Sequence, residues 1–312
     1  MEFGELKSVP ARVKWSKEAH EFTPWLAQNI SRLSNAIGLE LEVENTEVAA
    51  GPYSADILAK DTATDQYVVI ENQLEKTDHD HLGKALTYAS VLDATCIIWV
   101  ATEFTPEHTK ALDWLNDHTT EDISFYGVQI ELWKIDDSKP ALRFNIICKP
   151  NEAVRQAART KGNDELSEAK RFQYNFWQRF KTKLEKTKKI PSLQSPGAQY
   201  WYNVALGKSG IHLSNTCNTD NPNTVGARVY ISNRISDTML PYLESRKIEI
   251  ETAIGQPLLW NPNPTNRDKV ISLLHETNYD DEDKIEEALN WLIEHTLKFR
   301  EIFTKVIREM PN

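Results

Sequence analysis

Cysteine and long apolar runs are scarce in this chain of 312 residues. Its three cysteines, Cys96, Cys148 and Cys217, are far apart and odd in number, so neither a disulfide framework nor a zinc site is predicted. No apolar run approaches the roughly eighteen residues that a membrane span needs. The N-terminal segment also lacks the apolar core of a signal peptide. We therefore expect a protein of the reducing cytoplasm.

Several common catalytic motifs are missing as well. The sequence contains no Gly-x-Ser-x-Gly elbow, no His-Glu-x-x-His and no Gly-rich loop of the kind that cradles phosphate. These absences argue against a serine hydrolase of the α/β type, a zinc protease and a P-loop enzyme. Any chemistry in this chain must come from a different set of residues.

Positive charge is sparse in the first half of the chain. Residues 1–150 carry 13 Lys and Arg against 25 Asp and Glu, a net of −12, whereas residues 151–312 carry 23 against 21, a net of +2. Residues 155–189 hold eleven basic and four acidic residues. This basic segment is a candidate phosphate-binding surface, or else a solvated helix face that balances the acidic half. Its nucleic-acid-binding candidates are Arg179, Lys181 and Lys183.

What remains is the composition of a globular protein, with 40% hydrophobic and 26% charged residues. Residues 1–150 show the order α-β-β-β-α-β-α-β-β, which predicts an α/β domain with a mixed central sheet flanked by helices. Residues 151–312 predict a second, α+β domain with three antiparallel strands and a long final helix. The boundary is expected between Pro150 and Ser167, where apolar residues thin out.

Local signals place individual elements in the first domain. Thr23, followed by proline, predicts a helix N-cap, and Gly38 predicts the end of that helix. Asp78 is a candidate cap for a helix over residues 79–92. Residues 95–101 are almost all apolar and predict a strand buried on both faces.

The most informative stretch covers residues 53–88, which predict a strand, a turn at 61–66, a second strand and a helix. Glu71 and Gln73 share one face of the second strand, and the hairpin would bring Asp56 alongside them. Two carboxylates beside a neutral amide can hold a hard cation such as Mg²⁺. A Glu in an apolar strand needs a cationic partner, because burying an unpaired charge is costly. We favour a metal over a structural Lys or Arg.

This stretch resembles the PD-(D/E)XK nuclease superfamily, and within it the RecB-like domains. Their helical motif Gln-x-x-x-Tyr corresponds to Lys84 through Tyr88 here. The likeness extends to an uncharacterised bacterial family through the segments FTPWL, ADILA, VVIENQ, TDHDHLGK and ALDWLN, over most of residues 18–120. That family joins a nuclease-like half to a C-terminal domain of unknown function. The resemblance implies a restriction-endonuclease-like fold with Mg²⁺ or Mn²⁺ held by Asp56 and Glu71.

The resemblance also implies roles for the neighbouring residues. The carbonyl group of Asn72 would be a further metal ligand. Gln73 stands where the superfamily has its catalytic lysine. A Gln side chain orients water through hydrogen bonds but supplies no positive charge.

The helix after the hairpin offers a substitute cation. His81, Lys84 and Tyr88 are spaced three and four residues apart and share one stripe, which would border the acidic pair. Lys84 would take over part of the missing lysine's role and Tyr88 would orient a phosphate, unless both are ordinary side chains of an amphipathic helix. His79 and His81 lie in the first helical turn, where their side chains do not converge on a metal. We expect them to cap the helix or face solvent, and they are also candidates for phosphate contacts.

The aromatic residues of the second domain allow two interpretations. Tyr200, Trp201, Tyr202 and Tyr230 alternate through the predicted sheet. Such a set usually forms core, but one exposed face of the sheet could bind unpaired bases.

Together these patterns predict a Mg²⁺-dependent nuclease that hydrolyses phosphodiester bonds, with DNA as the expected partner. Its catalytic candidates are Asp56, Glu71, Gln73 and Lys84. The second domain would bind nucleic acid or mediate dimerisation. The alternative is a catalytically inactive nucleic-acid-binding or assembly module, which the missing lysine and the acidic first domain favour. A homodimer through the long final helix is a further alternative.

Overall fold

The computed structural model describes residues 3–50, 53–120, 122–151 and 167–311. The chain divides into two compact units, one of Met1–Asp61 with Gln66–Arg159 and the other of Thr62–Asp65 with Thr160–Asn312. The segment in which the sequence predicts the domain boundary falls mostly outside the described residues. Within the described ranges, no helix is long and apolar enough to cross a membrane.

The first unit is a mixed sheet flanked by helices, and this fold class was predicted. Its strands are β1 (Leu6–Val9), β2 (Leu41–Ala50), β3 (Tyr53–Asp61), β4 (Tyr67–Lys76), β5 (Ala94–Glu103), β6 (Ser124–Ile135) and β7 (Ala141–Cys148). Its helices are α1 (Ala11–Lys14), α2 (Thr23–Gln28), α3 (Ile30–Ile37), α4 (His79–Val91) and α5 (Pro106–His118), and a π-helical turn spans Glu18–Phe22. The strand order is β1-β6-β5-β4-β3-β2, with β7 also paired to β6.

The middle of this sheet is buried on both faces. Strand β5 runs parallel to both β4 and β6. Ile98 packs on one face with Leu26 and Leu33 of α2 and α3. Trp99 packs on the other face with Leu112 of α5. The nearly all-apolar sequence of β5 follows from this position, because a central parallel strand has no solvent-facing side.

The hairpin that carries the predicted acids forms as expected. Strands β3 and β4 are antiparallel, with Ile57 opposite Ile70. Val68 and Ile70 lie in the core on the α2–α3 face, whereas Val69 packs against Tyr88 of α4 on the other face. Alternation along β4 therefore places Glu71 on the α4 side of the sheet.

The N-terminal helical region differs from the sequence prediction. Thr23 is not an N-cap: its φ of −57° and ψ of −49° are helical, because the π-helical turn runs directly into α2. The predicted single helix is broken at Asn29, where φ is −116° and ψ is 26°. The Asn29 side chain donates a 2.8 Å hydrogen bond to the Trp25 carbonyl and so competes with the helical pattern. Gly38 ends α3 in the left-handed region, at φ 72°.

The second unit is an α+β arrangement. Its strands are β8 (Trp201–Lys208), β9 (Ile211–Asn218), β10 (Thr224–Ile231), β11 (Leu259–Trp260) and β12 (Lys269–Glu276). Its helices are α6 (Glu168–Lys186), α7 (Ser236–Ser245), α8 (Lys247–Ile254) and α9 (Glu282–Arg308). The strands form an antiparallel sheet in the order β11-β12-β10-β9-β8. The sequence predicts β8, β9 and β10 but not β11 or β12.

The core of the second unit lies on one face of its sheet. Tyr202, Leu213 and Val229 point to this face from three strands and contact Trp177 of α6 and Phe299 of α9 within one buried cluster. The apolar stripe of α9 is thereby used inside its own unit. The stripe comprises Ile285, Ala288, Leu289, Leu292, Phe299, Phe303, Val306 and Ile307.

Candidate functional site

Two carboxylates face each other where β3 and β4 stop pairing. The paired part of the two strands ends at Ile57 and Ile70, and the next residues along them are Asp56 and Glu71. The backbone N–H of Asn72 bonds to the Asp56 carboxylate, so Asp56 lies against β4 beside Glu71. Asp56 is partly buried and Glu71 is only 4% exposed. The hairpin thus brings together the two acids that the sequence selects.

The two acids differ in their hydrogen bonds. The backbone N–H of Asn72 donates to Asp56 Oδ2 at 2.7 Å, so a peptide group of β4 positions the Asp56 carboxylate. Glu71 Oε2 is buried and has no hydrogen-bond partner in the described chain. A buried carboxylate oxygen without a donor is costly unless it is protonated or binds a cation.

Burial and mutual repulsion disfavour the charged state of this pair. Burial raises the pKa of Asp56, an effect that the Asn72 hydrogen bond opposes and the nearby Glu18 reinforces. Burial also raises the pKa of Glu71, and the charge of Asp56 raises it further. Two neighbouring carboxylates cannot both ionise easily without a cation. The pair is therefore suited to share a proton or to hold a metal ion.

Helix α4 presents its polar stripe to the pair. Lys84 lowers the pKa of Glu71 through its charge, yet its Nζ forms an ion pair with Asp80 Oδ2 at 2.7 Å. Tyr88 is 2% exposed, and burial together with the charge of Glu71 raises its pKa. His81 stabilises ionised Asp56 through its own charge. The three residues that the helical spacing selects thus all adjoin the two acids or act on them electrostatically.

Gln73 is held by other groups. Its Nε2 donates to the carbonyl of Lys76 at 2.9 Å and to Asp78 Oδ2 at 2.7 Å. Its Oε1 is buried and, among the residues the structure describes, accepts no hydrogen bond. Only the oxygen end of this amide is therefore available to orient a water.

The side chain of Asn72 lies on the opposite face of β4. Its Nδ2 donates to Thr23 Oγ1 at 3.0 Å. Asn72 contacts the acidic pair through its backbone N–H, which donates to Asp56. The predicted metal contact of its carbonyl group stays a prediction.

The two histidines at the start of α4 point to different partners. His81 Nδ1 lies 2.9 Å from Asp78 Oδ1, and the same carboxylate caps the helix by accepting from the His81 N–H. His79 Nδ1 lies 3.0 Å from Nε2 of His108 in α5. His108 in turn contacts Thr77 Oγ1 at 2.9 Å. The two imidazole rings therefore contact different groups.

Glu18 is a site residue that the sequence patterns do not reveal. It lies in the π-helical turn, and its carboxylate accepts a hydrogen bond from the backbone N–H of Leu74 in β4. Its charge raises the pKa of both Asp56 and Glu71. No strand or helical periodicity marks position 18, so only the folded chain shows that a third acid approaches the pair.

The residues present fit a hard divalent cation with few protein ligands. In the described part of the chain, no group of three or more His, Cys, Asp or Glu side chains is arranged to hold a metal. Mg²⁺ is commonly bound by one or two carboxylates and completes its shell with water and substrate phosphate. Asp56 and the unpartnered Glu71 Oε2 meet that requirement.

The three residues of α6 that the sequence predicts to bind phosphate already have acidic partners. Arg179 pairs with Glu282 at 2.6 Å and with Glu286 at 3.1 Å, both on α9. Lys183 pairs with Glu286 as well, and Lys181 lies 3.6 Å from Glu185 on its own helix. A phosphate would have to compete with these carboxylates, so the contacts support a role in joining α6 to α9. The basic residues at 155–161 lie outside the described part of the chain.

Residues 172–307 match a family model. The family is described as a domain of unknown function, DUF4268, and the match covers less than half of the chain, all of it in the second unit. No curated protein matches. A solved structure, described as a repair endonuclease from Pyrococcus abyssi, is similar at 18% identity with a TM-score of 0.27. That similarity covers 31% of this chain and 43% of the endonuclease chain, less than half of its length.

Proposed function

We propose that the first unit is a Mg²⁺-dependent nuclease that hydrolyses phosphodiester bonds, with DNA as its substrate. The observation that carries this proposal is the buried Asp56–Glu71 pair, in which Glu71 Oε2 has no partner within the described residues. Of the residues the structure describes near the pair, Lys84 supplies a basic charge, and it is already bound to Asp80. A divalent cation would remove the repulsion between the two acids.

Each residue around the pair has a distinct task in this proposal. Asp56 and Glu71 would hold the cation, and the Asn72 N–H would keep Asp56 oriented. A bound Mg²⁺ supplies charge neutralisation at the scissile phosphate and activation of water. Gln73 Oε1 would accept a hydrogen bond from the attacking water. Lys84 and Tyr88 would contact the phosphate from α4.

A cleavage assay tests the proposal. Purified protein is incubated with single- and double-stranded DNA and RNA, in Mg²⁺, in Mn²⁺ and in EDTA. We expect cleavage that requires the metal and falls at least about 100-fold in Glu71→Gln, because the variant loses a metal ligand. Glu75→Gln is the matched control, since Glu75 lies on the same strand, is exposed and pairs with Arg12 at the surface. Equal activity of wild type and Glu71→Gln would place the chemistry elsewhere.

One observation favours a second candidate, a nucleic-acid-binding module without catalysis. Gln73 replaces a lysine and is anchored to Asp78, so the site lacks a mobile cation at that position. Binding that persists in EDTA, weakens steeply with salt and leaves the nucleic acid intact would support this candidate. The same assay thus separates the two functions.

A further inference from the structure

The sheet of the second unit has a polar face opposite its core. Asn203, Ser214, Arg228 and Ser272 come from four adjacent strands and lie side by side, with Asn203 opposite Ser214 and Arg228 opposite Ser272. Arg228 also donates to Ser214 Oγ at 3.0 Å. A row of polar side chains across a sheet is unusual for a buried surface. We refer to this row, together with its neighbours His212 and Tyr230, as the polar sheet face.

Two adjoining cavities open on this face. One has a volume of about 360 Å³ and contains Asn203, His212 and Ser214 in its wall. The other has a volume of about 320 Å³. Both are lined by Tyr200, Arg228 and Tyr230, so they form one continuous depression. Its size suits part of a small molecule or a single nucleotide.

Three buried polar atoms in this depression have no partner among the described residues. They are Asn203 Oδ1, His212 Nδ1 and Arg228 Nε, one from each of three neighbouring strands. His212 is only 8% exposed, and burial lowers its pKa to about 4, so its ring is neutral at physiological pH. Buried donors and acceptors without partners are rare in native proteins. All three residues line the wall of the depression, so these atoms are candidates for hydrogen bonds to a ligand.

The rings in the depression favour a flat ligand. The His212 and Tyr230 rings are stacked, with centroids 5.0 Å apart and planes at 25°. The Arg228 guanidinium lies 6.0 Å from the centre of the Tyr200 ring, and Tyr200 is 46% exposed. Aromatic faces and guanidinium planes bind nucleic-acid bases by stacking, whatever the base sequence.

Charges of both signs surround the depression, whose wall includes Arg228 and Arg267 as well as Asp65 and Asp268. Arg234 is paired with Asp65 at 3.1 Å, and both belong to the second unit. Asp268 is hydrogen-bonded to Tyr230. Arg228 Nε and Asn203 Oδ1 match the donor and acceptor edge of a base.

We propose that the polar sheet face binds an unpaired nucleobase. The base would stack beside Tyr200, accept a hydrogen bond from Arg228 Nε and donate one to Asn203 Oδ1. The base would come either from a single strand or from a free nucleotide. This binding is independent of the acidic pair in the first unit, so it can be tested without metal.

The test measures binding of the full chain to a labelled single-stranded oligonucleotide by fluorescence anisotropy in EDTA. We expect the base-containing strand to bind about tenfold more tightly than an abasic strand of equal length and charge, because only the former can stack. Arg228→Met and Tyr200→Leu should each weaken binding by about tenfold as well. Tyr200 is a half-exposed rim residue, so its replacement keeps the test valid if Arg228→Met fails to fold.

Arg308→Met is the matched control, since it removes the same charge from an exposed position on α9. Its binding should change less than about twofold, within the range of ordinary surface substitutions. Equal binding of abasic and base-containing strands, or equal losses in Arg228→Met and Arg308→Met, would overturn the proposal. Displacement of the strand by free nucleosides would support a free nucleotide as the source, and resistance to displacement would support a base within a strand. Failure here would leave a metal-dependent cleavage result unaffected.

Discussion

Glu71 is the residue on which the electrostatics of the first unit depend. It is buried at 4% exposure, one of its oxygens lacks a partner within the described chain, and it faces Asp56. A charged group of this kind weakens the fold unless something neutralises it. Such strain is typical of functional sites, where binding a ligand removes it.

The first prediction concerns stability against pH in the absence of metal. The pKa of Asp56 is raised to about 7 and that of Glu71 to about 9, so the folded protein holds protons that the unfolded chain has released. Stability should therefore fall as pH rises from the ordinary carboxyl range through these values. Glu71→Gln should be more stable than wild type by about 1–3 kcal/mol at pH 8, with a smaller gain at pH 5. Urea denaturation in EDTA at both pH values measures this, and a gain equal at the two pH values would contradict it.

The second prediction concerns metal binding. Because the pair must lose its protons to bind a cation, Mn²⁺ should raise the melting temperature more at pH 8 than at pH 6. Each kcal/mol by which bound Mn²⁺ stabilises the folded protein should raise the melting temperature by about 2–4 °C. Glu71→Gln should lose the shift and Glu75→Gln should keep it. Differential scanning fluorimetry gives the comparison, and a shift retained in Glu71→Gln would assign the metal to other residues.

At the scale of secondary structure, Asp78 joins α4 to β4. Its carboxylate accepts from the His81 N–H at 2.9 Å as a helix cap and from Gln73 Nε2 at 2.7 Å. The predicted cap at this position is thus present and has a second use. It fixes the helix that carries Lys84 and Tyr88 against the strand that carries Glu71.

The third prediction tests this junction. Asp78→Ala should destabilise the protein by about 1–2 kcal/mol, because the cap is lost, and should free the Gln73 amide. Asp78→Ser keeps a capping oxygen and should recover about half of that loss or more. Chemical denaturation of the two variants is the measurement. Equal losses in Ala and Ser would mean that the Gln73 contact, and not the cap, holds the helix.

Elements with strong local signals were predictable from the sequence. The apolar run of β5, the cap at Asp78 and the left-handed Gly38 each appear in the structure where their residues indicate. The opposed positions of Asp56 and Glu71 followed from strand alternation and one tight turn. These are consequences of contacts close in sequence.

Elements that depend on distant contacts were not predictable. Strand β12 enters the sheet beside β10, although about forty residues and two helices separate them along the chain. Glu18 contacts β4 from a π-helical turn, an element that the local sequence does not indicate. The pairing of Arg179 with α9 likewise requires the folded second unit, so the basic stretch looked more available in sequence than it is.

At the scale of the whole molecule, the structure bears on oligomerisation. The apolar stripe of α9, a candidate dimer surface in the sequence, is buried against the sheet of its own unit. A dimer through that stripe would require the second unit to open and expose its core.

The fourth prediction is therefore that the protein does not dimerise through this stripe. Light scattering at micromolar concentration should give a mass near 35.8 kDa. Should a dimer be found, it should form without opening the second unit, so urea at concentrations that leave the fold intact should not promote it. A dimer that forms only when mild urea loosens the second unit would contradict the prediction.

The hydrogen bond from Asn72 to Asp56 has a practical consequence for spectroscopy. That peptide hydrogen is hydrogen-bonded to a titrating carboxylate, so its resonance in a nitrogen–proton correlation spectrum should move as Asp56 changes state. In ¹⁵N-enriched protein, this amide thus reports directly on the state of the acidic pair. Titration with acid, with a diamagnetic cation such as Mg²⁺ or with an oligonucleotide could be followed at this one signal. The remaining amides of the protein serve as the internal reference.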